Sequence, residues 1–169
     1  MSAKDTVHSH TDLKRHDRLI QEREHDPYHA KLKFKEPTVC PECGAVYHKG
    51  RWAWGEAPAG AHKVLCPACS RIRDELPAAF LTLQGAFLAG HREEIMQLAR
   101  NHEQRERSEH PLMRIMAVTE SEGGITLSFT EAHLARGIGE ALHDAYKGDL
   151  DYRYADEDIM LRVTWRRDS

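Results

Sequence analysis

Two short cysteine pairs constrain this chain more than any other feature. Cys40-Pro41-Glu42-Cys43 and Cys66-Pro67-Ala68-Cys69 hold all four cysteines and lie 22 residues apart. Two CxxC turns at such a spacing suit one tetrahedral Zn²⁺, because each turn presents two sulfurs from a tight knuckle. The pattern predicts a single structural zinc held by Cys40, Cys43, Cys66 and Cys69. Four thiolates fill the shell and leave no open position for water or substrate, which argues against catalytic zinc and leaves His48 and His62 without a ligand role. Gly44 lets the backbone fold back after the first pair, with its N–H aimed at a thiolate, and the proline in each pair stiffens the turn. The second pair runs into SRIRDEL, so the last two ligands are expected at a helix N-terminus, where the dipole favours thiolate charge. Knuckle, hairpin and helix in that order describe a treble clef, with a zinc ribbon as the alternative. Metal binding is expected to supply on the order of 10 kcal/mol of this lobe's folding free energy.

Between the pairs, Tyr47, His48, Lys49, Arg51, Trp52, Trp54, His62 and Lys63 interleave rings and cations. That mixture suits stacking on unpaired bases with phosphate neutralised nearby. The same tryptophans also suit the packing of a small metal hairpin, and being two apart they share one face of a strand. Arg71 and Arg73 follow the second pair, placed either to contact phosphate or to offset the double negative charge of a Zn(Cys)₄ centre. The expected nucleic-acid surface is therefore Lys49, Arg51, Trp52, Lys63, Arg71 and Arg73, with Lys31, Lys33 and Lys35 added from the preceding arm.

Charge is unevenly spread. Residues 1–73 carry 13 Lys and Arg against 9 Asp and Glu, whereas residues 74–169 carry 11 against 18, balances of +4 and −7. A polyanion would meet the first half and be repelled by the second. The thiolate–zinc centre subtracts two from the basic half, so the RNA expectation rests on where rings and cations sit, with net charge merely permissive. The longest stretch without charge, 76–90, is 15 residues, short of the roughly 18 to 20 needed to span a membrane. The polar N-terminus has no signal-peptide core, which predicts a cytoplasmic address and disfavours disulfides.

The predicted class is α+β. Residues 1–36 mix both charges with five histidines and show no sustained period, as expected of a disordered or loosely helical arm. His8 and His10 are spaced to share an ion, although solvated disorder explains them as well. Residues 37–74 form the zinc lobe and 75–110 a helical connector, bent near Pro77, Gly85 and Gly90, with Ile95, Leu98, Ala99 and His102 on one face. Residues 111–167 read as ββαββ. Strands are expected at 112–119 and around Ile125, Leu127 and Phe129, joined by the Ser121–Gly124 turn, then around Leu150, Tyr152 and Tyr154, and around Ile159, Leu161, Val163 and Trp165. The intervening helix is capped by Thr130, carries Leu134, Ile138, Ala141 or Leu142, and Ala145, and stops at Gly148.

No phosphate-loop, dinucleotide, nucleophile-elbow or zinc-protease pattern occurs. His133 and His143, near Glu140 and Asp144, read as surface residues. A non-enzymatic protein is expected.

The CPECG and CPAC pairs, with the later HLARGIGEALHDAYKG helix at 133–148, resemble the N-terminal part of the archaeal and eukaryotic adapter family that exports the large ribosomal subunit. The resemblance covers 37–73 and 112–167. A Burkholderia-type group of short bacterial proteins is similar in plan. The adapters carry further cysteine pairs, a further C-terminal domain and export signals that these 169 residues lack, so nuclear export is not implied. What the resemblance implies is contact with ribosomal RNA or a ribosome-bound partner, with the four cysteines as zinc ligands. The expectation is thus a zinc-stabilised RNA- or ribosome-binding protein, whose acidic C-terminal lobe faces solvent or a protein partner. A regulatory protein-interaction module with purely structural zinc and an enzyme, either a CxxC redox protein or a hydrolase without a recognisable motif, are the alternatives.

Overall fold

The computed structural model describes residues 34–154 and 160–169. The arm residues before Phe34, including Lys31, Lys33, His8 and His10, lie outside that range, as does Ile159. Among the described residues, two mixed sheets and three helices form an α+β fold.

The smaller sheet belongs to the cysteine region. It contains β1 (Thr38–Val39), β2 (Val46–His48), β3 (Arg51–Ala53) and β4 (His62–Lys63) in the order β3-β2-β1-β4. The β2–β3 hairpin turns on Lys49 and Gly50, with φ of 52° and 78°. Positive φ at both central residues is the two-residue turn whose twist matches paired strands. Helix α1 (Pro67–Asp74) follows β4 directly.

The larger sheet contains β5 (Ala79–Gln84), β6 (Ile115–Ser121), β7 (Gly124–Phe129), β8 (Asp149–Tyr154) and β9 (Leu161–Arg166), ordered β6-β7-β5-β9-β8. Helix α2 (Ala86–Glu109) joins β5 to β6, and α3 (Ala132–Tyr146) joins β7 to β8. The expected ββαββ elements are present, but residues 79–84 depart from the helical connector. They form the central strand, antiparallel to β7 and parallel to β9. Ala79, Leu81 and Leu83 are fully buried while Phe80, Thr82 and Gln84 are half-buried, the alternation of a strand covered on one face.

That covered face defines the core. Leu81, Leu83, Leu127, Phe129, Leu161, Val163 and Trp165 meet Leu134, Ile138 and Leu142 of α3 and Leu88, Ile95, Met96 and Ala99 of α2. Each large side chain contributes roughly 1.5–3 kcal/mol through burial. Trp165 is fully buried, and its indole N–H donates to the Lys147 carbonyl at 2.7 Å, so its polar edge costs nothing in the core. The opposite sheet face carries the cross-strand row Thr119, Thr126, Thr82 and Thr164.

Several local expectations are corrected. Thr130 does not cap α3; Glu131 holds that position without a side-chain cap bond. The Thr130 hydroxyl donates instead to the Leu112 carbonyl at 2.5 Å and accepts the Arg114 N–H at 2.8 Å. Leu142 rather than Ala141 is the buried member of the α3 stripe, and Ala145 is exposed where Tyr146 packs on the core. Helix α2 is kinked at His91, next to Gly90, where φ and ψ are −131° and 16°. A Cβ at Gly137 of α3 would lie 2.8 Å from the His102 Nε2 of α2, so the glycine lets that histidine ring sit against α3.

Candidate metal centre

The backbone brings the two cysteine pairs together by different devices. In the first, Cys40 N–H donates to the Ala45 carbonyl at 2.8 Å and Gly44 N–H to the Cys40 carbonyl at 2.9 Å, closing the knuckle. The Gly44 N–H therefore bonds a carbonyl rather than the expected thiolate, although its φ of 81° is the left-handed turn the sequence called for. In the second pair, Cys66 is the N-cap of α1, Pro67 takes the first helical turn, and Cys69 N–H donates to Cys66 Sγ at 3.3 Å. A proline there forfeits no helical bond. The last two ligands thus occupy a helix N-terminus after a knuckle and a hairpin, the treble-clef arrangement.

The four Sγ atoms lie within 4.8 Å of one another, with Cys43 and Cys66 at 3.8 Å. A tetrahedral Zn²⁺ with Zn–S bonds of about 2.3 Å has S···S edges of about 3.8 Å. All four cysteines are free of disulfides. Burial pushes the Cys66 thiol up, and the neighbouring Cys43, Cys69 and Cys40 sulfurs push it the same way. At Cys40 burial also raises the pKa, but N–H groups of Cys43, Cys66 and Glu42 outweigh it and bring it down to about 7. Four sulfurs this close repel one another as thiolates unless a dication sits among them. The donor set, its spacing and its burial fit one structural zinc.

A fifth residue completes the centre. Arg114, on the approach to β6, is 6% exposed and donates from Nη1 to Cys69 Sγ at 3.1 Å and from Nη2 to Cys66 Sγ at 3.6 Å. Its Nε donates to the Pro111 carbonyl at 2.9 Å. Burial works against the charge on Arg114, yet the Cys69 hydrogen bond and the sulfur charges more than offset this and raise its pKa. On Cys69 burial dominates and raises the pKa, with Arg114 opposing. Arg114 thereby supplies the charge compensation that the sequence reading assigned to Arg71 or Arg73. Nothing in the sequence around position 114 signals this, since 45 residues separate it from Cys69.

The predicted basic residues do not form one patch. Lys49 and Arg51 share the β2–β3 hairpin, while Lys63 lies on β4 at the opposite edge, three strand spacings or about 14 Å away. Arg73 on α1 pairs with Asp74 at 3.4 Å. Arg71 is corrected outright: it is 3% exposed, and its Nη1 donates to the Leu76 carbonyl at 3.1 Å, so no phosphate can reach it. Trp52 is half-buried in a cluster with Phe34 and Tyr47, at ring separations of 5.2 and 5.4 Å. Packing explains Trp52, whereas Trp54 is 38% exposed. His48 and His62 are exposed and take no part in the cysteine cluster; His133 and His143 are exposed on α3.

No family model, no curated protein and no solved structure matches the chain. Among the described residues no helix is long and apolar enough to cross a membrane.

Proposed function

We propose that this is a non-enzymatic, zinc-stabilised protein that binds RNA on the ribosome in the cytoplasm. The observation that carries the reading is the pair Lys49 and Arg51, exposed on the β2–β3 hairpin of the metal lobe and without an ion-pair partner among the described residues. Cations left unpaired on an exposed hairpin suit phosphate, which positions a protein on RNA without demanding a deep pocket. Zinc here acts as scaffold, because the four cysteines leave it no exchangeable position. Arg71 is withdrawn from the RNA surface and Trp52 is retained only as packing beneath it.

Sedimentation of the zinc-loaded full chain through a gradient of cell lysate tests the reading. Co-migration with ribosomal subunits is expected, weakening as salt rises and lost after nuclease treatment. A complex that survives nuclease would instead favour the protein-interaction module, and for that the exposed edge strand β6, with Val118 at 43% exposure, offers a surface. Migration at the top of the gradient under all conditions would end the ribosome assignment.

A further inference from the structure

Trp54 sits where the zinc lobe meets α2, and its polar edge is already committed. Its indole N–H donates to the Arg107 carbonyl at 2.6 Å. That carbonyl lies in the last turn of α2, and the residue four positions on is Pro111, which has no N–H to offer. Trp54 therefore satisfies an orphan acceptor at the helix end, which fixes the ring's orientation. What remains for recognition is the ring itself, which lines two open surface depressions. One, of about 500 Å³, runs along the β2–β3 hairpin past Lys49 and Arg51. The other, of about 530 Å³, runs along α2 past Arg100 and Arg107.

The charges favour a polyanion. Lys49, Arg51, Arg100 and Arg107 are exposed, and none has a side-chain partner among the described residues. Of the two lining carboxylates, Glu56 is exposed, while Glu103 already accepts the Ile115 N–H at 2.5 Å. An aromatic ring anchored through its own N–H and lining two depressions that each carry exposed cations suits unpaired bases: the ring stacks and the cations follow the backbone.

We infer that single-stranded RNA crosses the molecule at Trp54, with one base stacked on the indole and the flanking phosphates met by Lys49 and Arg51 in one depression and Arg100 and Arg107 in the other. This rests on the RNA reading above and extends it to α2, which lies outside the zinc lobe. Duplex RNA cannot use the same path, because its bases are not free to stack.

The test is fluorescence anisotropy of the zinc-loaded full chain with a labelled 12-nucleotide oligouridylate and, separately, a 12-base-pair RNA duplex. The single strand is expected to bind at least tenfold tighter than the duplex. Trp54→Ala is expected to weaken it by about tenfold, within the range for loss of one stacked base, whereas Trp54→Phe keeps a stacking ring but loses the N–H that orients it, and is expected to weaken binding by less than Trp54→Ala. The double substitution Arg100→Gln, Arg107→Gln is expected to weaken binding about tenfold and to flatten the salt dependence by about 1.4 in log–log slope. That variant also guards against a folding defect in Trp54→Ala, because neither side chain is engaged among the described residues. If the wild type binds the oligonucleotide but the double arginine variant binds equally well, the path over Trp54 is wrong while the RNA reading stands. Preference for the duplex overturns the path too. Absence of any RNA binding by the wild type brings down the reading and the path together.

Discussion

Arg114 and Cys69 lie 45 residues apart in sequence and 3.1 Å apart in space, guanidinium against sulfur. The contact joins the segment that opens β6 to the first turn of α1. Leu112 reinforces it by packing on the cysteine cluster, and Thr130 by holding Arg114's backbone N–H. Metal centre and sheet are consequently one mechanical unit at this point. A buried guanidinium bonded to two sulfurs costs the fold heavily if either side of the pairing is removed.

Arg114→Met is accordingly expected to destabilise the zinc-loaded protein by about 3 kcal/mol, in the range for breaking a buried ion pair. Arg114→Lys should recover only part of this, because an ammonium cannot span two sulfurs as the guanidinium fork does. Denaturant unfolding measures the loss, and competition with a chromophoric chelator should show faster zinc release from both variants. Equal release from wild type and Arg114→Met would remove the residue from the metal centre.

Removing the metal should unfold the cysteine region first. A chelator is expected to expose all four thiols to a thiol reagent, after slow reaction in the zinc-loaded state. Elemental analysis should return about one zinc per chain, and Cys66→Ser should return none. Tryptophan fluorescence should shift on chelation as Trp52 leaves its cluster with Phe34 and Tyr47.

Acid should weaken the contact between α2 and α3. His102 has a depressed pKa, chiefly because burial disfavours its charged form, with Arg105 adding to the effect and Glu106 opposing it. A lowered pKa in the fold means the unfolded chain binds the proton more readily. The associated stability is complete above the unfolded value of about 6.5 and is lost as the pH falls through the lower folded value. Urea midpoints of wild type should drop across that window more than those of His102→Gln. Parallel pH profiles for the two proteins would exclude His102 as the cause.

Two glycines should respond oppositely to alanine. Gly85 has a φ of 103°, and a Cβ there would come within 2.1 Å of the Arg167 carbonyl oxygen, so Gly85→Ala is expected to cost at least about 2 kcal/mol. Gly90 lies within α2 with nothing near its would-be Cβ, so Gly90→Ala should stabilise by up to about 1 kcal/mol. Thermal melts of the two variants check both signs.

The metal ligands and the C-terminal strands were readable because each depends on local spacing: a CxxC turn or a two-residue alternation carries its own meaning. Residues 79–84 carried two meanings. Their run of Ala79, Phe80, Leu81, Thr82 and Leu83 is apolar enough for either a buried helix or a buried strand, and only pairing with β7 and β9 selects the strand. Arg114 and Trp54 were obscure for another reason. One is defined by sulfurs 45 and 48 residues away and the other by a helix-end carbonyl 53 residues away. Arg71 misled because its neighbourhood, a helix after a zinc knuckle, suggests exposure, while the fold turns its guanidinium inward onto Leu76.

The placement of β5 between β7 and β9 has a consequence for how the chain is made. The four zinc ligands are all present once Cys69 is synthesised, although Arg114 and Leu112 join the centre only later. The central strand pairs with residues about eighty positions later, so it waits with one edge bare until β9 arrives. Long-range pairing of this kind is the slow step in assembling a sheet, and an uncovered apolar strand invites association in the interval. The metal lobe is therefore the natural first anchor of a nascent chain whose sheet is zipped shut last.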